Sequence, residues 1–369
     1  VVAIGGIDQT TASSCFEQGA SGIAVISVVT RAKDPLQNAL EVASACGCKP
    51  PSAVLSPWND EFALIKKLVK QIPADSYLRI PAGDDACLLM PINHPVITTD
   101  TQKEGVHFRL DWQTPEEVGR KAVEVTLSDL AASYAAPISL FVNLALPDYT
   151  SDLTVENIYK GIKKSLAKHN CTLGGGNISA GFELTLDLFA IGRGHEDIFP
   201  VRSAAQPGYN LYCTGPLGLS RAGLEALIRK DDTFDELTAK FKFPSARFDA
   251  AQVLAENGVT CVIDVSDGLA GDAKRIAEAS EVSVSIDLTP RAFHPTLVSF
   301  CKKYRLNPEE MVLAGGEDYE LLFACTPDLF ETMKKELPSA FNVGRCFEFQ
   351  GKHMLNIPGN ISSFQHGIR

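Results

Sequence analysis

The 369-residue chain is 45% apolar and carries 45 acidic against 34 basic side chains, a formal charge of −11. That length supports two or three cored domains, and the acidic balance gives no basic footprint for nucleic acid. No apolar run approaches the roughly 20 residues of a membrane-spanning helix, and the cysteines fall singly apart from Cys46 and Cys48, with neither zinc spacing nor a disulfide framework. A cytoplasmic globular protein with reduced core cysteines is the expectation, with no nucleic-acid or membrane partner.

The first segment, VVAIGGIDQTTASSCFEQGASGIAVISVVTRAKDPLQNAL, reads strand, Gly-Gly turn, helix, second apolar strand, helix. Two strands cannot close a barrel. The pattern resembles the last quarter of thiamine-phosphate synthase, a TIM barrel in which a Gly-Gly loop and a later Ile-Ser pair hold phosphate; Gly5, Gly6, Ile26 and Ser27 match. Residues 1–45 are therefore expected to be a partial barrel, the tail of something larger, with synthase activity belonging to a longer parent. Residues 46–59, CGCKPPSAVLSPWN, carry three prolines and read as a linker.

Beyond it, Phe62, Ile65, Leu68, Val69 and Ile72 recur at helical spacing until Pro73. Strands are expected near 86–90, 96–99, 138–145, 184–191, 209–213, 261–265, 283–287, 319–324 and 341–347. Helices are expected near 115–136, 154–169, 218–230, 245–256, 268–279 and 327–336. The mixture lacks strict βα alternation, so the fold class is α+β in two halves, 60–200 and 201–369.

The helix from Thr114 has a capping box, with Pro115 in the first turn and Glu117 three residues on. Counting from there, Val118, Ala122, Val125 and Ala132 share a face, and Asp129 lies in the middle of it. An acid on a buried stripe either pairs with a cation or caps a neighbour. Four other places repeat the oddity: Asp84 and Asp85 in IPAGDDACLLM, Asp100 after Thr98 and Thr99, Asp264 and Asp267 in VIDVSDG, and Glu317 and Asp318 in LAGGEDYELLF. Singly each is an ordinary turn acid. Together they sit at element ends beside glycines, where backbone can approach a bulky anion. Acids and phosphate repel unless divalent cations lie between them, which points to Mg2+ bridging carboxylates and a polyphosphate. No GxxxxGK[ST], no GxGxxG between strand and helix, and no kinase HRD and DFG pair occurs.

These residues resemble the thiamine-monophosphate kinase family of the aminoimidazole ribonucleotide synthetase-like (PurM-like) superfamily. The resemblance runs in order through GDDAC, TTDTQKEGVHF, KAVEVTLSDLAA, LGGGNISAG, RSAAQPGYNLYCTGPLG, IDVSDGL and GGEDYELLF. It implies a PurM-like N-terminal ATP and Mg domain over 60–200 and a PurM-like C-terminal domain over 201–369. It implies metal-holding acids at Asp85, Asp100, Asp129, Asp264 and Asp267, flanked by Thr98 and Thr99. It places ATP contacts at Gly176, Asn177, Arg202 and Ser266, and thiamine-phosphate contacts at His107, Glu317 and Phe364. It also implies a homodimer, and transfer of a phosphoryl group from ATP to thiamine monophosphate through Asp100, Asp129 and Asp264. The glycine-rich loop departs from the pattern: Asn177 stands where the family has an acid and Ala180 where it has an arginine. The alternatives are another ATP-using enzyme of the same fold, or a thiamine-phosphate binder impaired at Asn177.

Overall fold

The structure, a computed structural model, describes residues 2–20, 22–30, 33, 35–46, 61–70, 72 and 77–357. The chain divides into two compact units, one of Val1–Asp60 with Asp148–Ser151 and one of Glu61–Pro147 with Asp152–Arg369. In the first, β1 (Val2–Ile4) leads through α1 (Ala12–Glu17) to β2 (Gly22–Ala24), and α2 (Ser27–Thr30) and α3 (Pro35–Ala45) follow. The strands pair in parallel, Val2 opposite Gly22 through Ile4 opposite Ala24, as a helical crossover requires. Ile7, Ala12 and Val42 form a small core. The expected strand and helix order is present; past Cys46, the expected linker lies outside the described residues.

The second unit opens with α4 (Glu61–Val69), β3 (Leu78–Ile80) and β4 (Leu88–Leu89). Its first half is a four-stranded sheet ordered β5-β8-β6-β7. The chain runs through β5 (Pro95–Lys103), α5 (Pro115–Ala132), β6 (Ala136–Leu146), α6 (Asp152–Lys168), β7 (Thr172–Ala180) and β8 (Thr185–Arg193). Strand alternation gives the sheet two unlike faces. Leu186, Leu188 and Ala190 of β8 are buried on the side that α5 covers. On the other side Thr101, Asp187, Asn143 and Asn177 stand opposite one another across the four strands, and all four are exposed.

The second half contains β9 (Asn210–Cys213), α7 (Leu219–Arg229), α8 (Asp235–Lys242), α9 (Phe248–Glu256), β10 (Cys261–Asp264) and α10 (Leu269–Ala279). It closes with β11 (Ser283–Ile286), α11 (Pro295–Tyr304), α12 (Pro308–Ala314), β12 (Leu321–Cys325), α13 (Pro327–Met333) and β13 (Phe341–Phe347). Its sheet is ordered β10-β12-β9-β13-β11 and antiparallel throughout. Leu211, Ile263, Leu322 and Val343 from the strands meet Leu219, Ala273 and Phe300 from the helices in one core. Because α5 packs on β5 and β8 of the first sheet and on β10 of the second, it is the element common to both halves.

Three differences from the sequence expectation have physical causes. The glycine-rich stretch is not a loop but the edge strand β7, parallel to β6; a Cβ on Gly176 would lie 2.0 Å from the Val142 carbonyl oxygen, so only glycine permits that pairing. α5 ends at Ala132 rather than 136, because Tyr134 turns left-handed at φ 54° and Ala135 N–H returns to Leu130 O. α9 begins at Phe248 rather than 245, because Ala246 N–H is drawn to the Glu124 carboxylate at 3.0 Å.

Candidate active site

The site begins with the face of β5 turned to α5. Thr98, Asp100 and Gln102 share it by alternation, whereas Thr99 stands with Thr101 and Lys103 on the opposite face. Thr98 and Thr99 are thus adjacent in sequence but divided by the sheet. On α5 the capping box forms as read, with Thr114 Oγ1 accepting Glu117 N–H at 3.3 Å and Glu117 returning to Thr114 N–H at 2.7 Å. Fourteen residues separate Thr114 from Asp129 by way of a helix buried almost all round. Its last turns carry two polar links: Thr98 Oγ1 donates to Asp129 at 2.5 Å, and Ser128 Oγ donates across the two halves to Asp264 at 2.8 Å.

From the second half, β10 delivers Asp264, only 5% exposed, and its neighbours bend back over it. Gly316, Glu317 and Tyr319 all have positive φ, at 69°, 56° and 50°. Two of these are not glycine, a strained conformation that persists where surrounding structure over-determines it. Here the determinants are main-chain bonds: Glu317 N–H to Ser266 O at 2.7 Å and Tyr319 N–H to Val265 O at 2.9 Å. The fold turns Glu317 toward Lys121 of α5, whose Nζ is 3.0 Å from Glu317 Oε1. That contact is an ion pair by distance without hydrogen-bond alignment, since Oε1 has no aligned donor among the described residues. Lys121 is 1% exposed; it also donates to His107 O at 3.1 Å and lies 3.7 Å over the Phe241 ring. His107 Nδ1 accepts Lys103 N–H at 3.1 Å, so the neutral ring carries its proton on Nε2.

Charge in this region is unbalanced. Burial lifts Asp100 to about 6, with Asp129 and Glu317 adding like charge against the Thr101 N–H that stabilises its anion. Burial and the facing Asp129 lift Asp264 to about 7 despite Ser128. Asp129 rises too, burial outweighing Thr98 and the positive charge of Arg202. Buried carboxylates lifted together, with Asp129 adding like charge against Asp100 and Asp264, mark a site short of positive charge.

A cleft of about 840 Å³ between the halves is lined by Thr99, Asp100, His107, Asp129, Asp264, Ser266, Asp267 and Glu317 among others. An adjoining pocket shares Asp129 and Asp264 and adds Thr98 and Arg202. Asp267 lies at the rim paired with Arg275, which also holds Asp272. Three sequence candidates stand apart. Asp85 is exposed in the turn before β4; Gly176 and Asn177 are exposed on β7, three strands from β5 and so about 14 Å away at normal strand spacing. Phe364 lies outside the described residues. Among the described residues, no three His, Cys, Asp or Glu side chains converge to hold one ion. Sequence reasoning missed Lys121, Ser128, Gln102 and Arg275. Helical spacing from Val118 and Val125 places Lys121 on the buried stripe, and alternation from Thr98 and Asp100 places Gln102 on the cleft face.

Comparison with known proteins fits this geometry. The family profile described as AIR synthase related protein, N-terminal domain, matches residues 83–194, and its C-terminal domain counterpart matches 206–349. Fold and site together define an AIR synthase-related, PurM-like protein of two α+β halves around an acidic cleft. The thiamine-monophosphate kinase of Aquifex aeolicus (strain VF5) is 33% identical over 267 residues, 71% of this chain and 85% of that one. The solved structure titled AaThiL complexed with AMPPCP and TMP is 30% identical, covers 80% of this chain and 92% of its own, and has a TM-score of 0.64. The chain belongs to the thiamine-monophosphate kinase family. E. coli HypE, a hydrogenase maturation protein, matches with a TM-score of 0.66 over 82% of this chain and 95% of its own, but at 16% identity it shares the fold alone.

Proposed function

We infer that the chain transfers the terminal phosphoryl group of ATP to the phosphate of thiamine monophosphate, giving ADP and thiamine diphosphate. The carrying observation is the cleft that gathers Asp100, Asp129 and Asp264, each lifted chiefly by burial with Asp129 adding like charge against the other two, beside the Lys121–Glu317 pair, in a chain of this family. The nucleophile is a phosphate oxygen already ionised near neutral pH, so no general base is needed. What the site must supply is alignment of two polyanions and neutralisation of charge.

Mg2+ fits the donors that line the cleft: hard carboxylate oxygens whose raised pKa values fall when a cation arrives. Mg2+ is commonly held by one or two carboxylates plus substrate phosphates rather than by an all-protein cage, which agrees with acids that line one cleft without three converging. Asp100, Asp129 and Asp264 would hold it, and Asp267 after release from Arg275; when bound it supplies positive charge to the transferring phosphoryl oxygens. Arg202, in the adjoining pocket, adds charge where ATP phosphates lie. Ser266 lines the nucleotide side, while His107 Nε2–H and the Glu317 carboxylate face the thiamine side.

Asp85, Gly176 and Asn177, which stand apart from the cleft, enter through a homodimer. Asn177 lies on the open face of the first sheet, where Ile97 and Phe189 are 57% and 38% exposed, and a second copy covering that face would meet it. We retain the division into a synthase-like segment over 1–45, a linker over 46–59 and two kinase domains over 60–200 and 201–369, in a cytoplasmic protein. The test is a coupled assay of ADP release by the full chain. Release that requires both thiamine monophosphate and Mg2+ is expected; ATP turnover indifferent to thiamine monophosphate would sink the reading, and thiamine monophosphate binding without ADP release would favour an impaired binder.

A further inference from the structure

Gln102 is the most deeply buried polar side chain of the cleft wall that the mechanism leaves unused. It is 2% exposed and lines the cleft with Asp100, His107 and Glu317. Its amide is oriented: Nε2 donates to Thr101 O at 3.3 Å, and the same amide contributes a hydrogen bond that stabilises the Asp100 carboxylate. Both are acceptors, which fixes nitrogen on that side and oxygen on the other. Gln102 Oε1 has no hydrogen-bond partner among the described residues. A buried amide oxygen left so is disfavoured by about tenfold or more in an equilibrium, and native sites rarely leave one without a purpose.

We propose that Gln102 is a specificity-determining residue, whose Oε1 accepts from the amino group of the substrate's aminopyrimidine. The proposal rests on the kinase reading above. Phosphate oxygens have no proton to donate, so the transferring end of neither substrate can satisfy Oε1. The donors that remain are the exocyclic amine of thiamine monophosphate and, on the nucleotide, the adenine amine and the ribose hydroxyls. The surroundings favour thiamine. Asp100 and Glu317 line the same cleft as Gln102, and a ring system carrying a thiazolium cation answers their charge, whereas adenine is neutral. A neutral acceptor beside two acids also has a use of its own, because it reads a donor without adding a third like charge. A site built around a hydrogen bond rejects the analogue lacking it more strongly than an apolar pocket rejects a misfit.

The experiment is calorimetric titration of the full chain with Mg2+ and AMPPCP, using thiamine monophosphate and its 4′-oxo analogue, which presents a carbonyl in place of the amine. Wild type is expected to prefer the amine by roughly tenfold or more. Gln102→Met, close in volume and without an acceptor, is expected to bring that preference to about twofold by weakening the amine alone. Gln102→Asn, which keeps the amide but withdraws it by one methylene, is expected to lose preference too, and serves if the Met variant folds poorly. An unchanged preference in a folded variant overturns the proposal. So does a Gln102→Met effect confined to discrimination between ATP and inosine triphosphate, which would give the acceptor to adenine. If wild type binds neither thiamine compound, the kinase reading falls first and this assignment with it.

Discussion

Between the ordinary carboxylate value of 3.8 and about 7, Asp264 holds its proton in the folded chain and releases it in the unfolded one. Folded protein then binds more protons, so stability falls as pH rises through that window; Asp100, lifted to about 6, adds in the same direction. The stabilisation from protonated Asp264 is fully present below about 3.8 and lost above about 7. In metal-free buffer the denaturation midpoint should therefore drop from pH 5 to pH 8. Asp264→Asn, which keeps an oxygen for Ser128 and removes the charge, should flatten that slope and stabilise the chain at pH 8 by about 1–3 kcal/mol. The same change should lower turnover at least about a hundredfold, since charge neutralisation in the cleft depends on it. Added Mg2+ should raise the wild-type midpoint at pH 8 and leave the variant almost unmoved. A variant with the wild-type slope and the wild-type Mg2+ response would remove Asp264 from the site.

α5 joins residues that the sequence separates by almost two hundred positions. It reaches Glu317 through Lys121 and Asp264 through Ser128, so the loop carrying Glu317 is placed by the same helix that presents Asp129. The consequence is coupling between Lys121 and Glu317. In a cycle of Lys121→Met, Glu317→Gln and the double variant, kcat/KM for thiamine monophosphate should show an interaction energy of about 1–3 kcal/mol, mostly in KM. Coupling below about 0.3 kcal/mol would mean that the helix does not position the loop.

Much of α5 is legible beforehand because its signals are local: a capping box and a 3.6-residue apolar stripe with Asp129 on it. Its partners are not, because pairing across halves leaves no mark in sequence spacing. The helices that went unread, α8, α11 and α12, are short or rich in weak helix formers; PTLVSFCKKY carries Thr, Val, Ser, Phe, Cys and Tyr. The acid-bearing turns were found by type and placed by resemblance, yet Asp267 meets Arg275 and Gly176 lies in a strand. Neither follows from the turn chemistry of VSDG or GGGN.

At the scale of the molecule, the first sheet has a covered face and an open one, and the candidate residues divide between them. Asp100, Asp129 and Asp264 belong to the covered face and cleft; Thr99 and Asn177 belong to the open face, which also presents Ile97, Phe189, Thr101, Asp187 and Asn143. Exposed apolar side chains on a flat sheet are the usual mark of a partner surface, and a second copy is the partner that would bring residues from the open face to a nucleotide. Sedimentation should then find a dimer, and Phe189→Arg, which sets like charges against one another across a two-fold axis, should shift it toward monomer. Phe189 lines no part of the cleft described above, so a loss of turnover in that variant, recovered at high protein concentration, would trace to association. Asn177→Asp should lower the Mg2+ needed for half-maximal rate in the dimer and have no effect in the Phe189→Arg background. A monomeric variant with full turnover would confine the working residues to a single cleft and leave Asn177 a residue of the sheet surface.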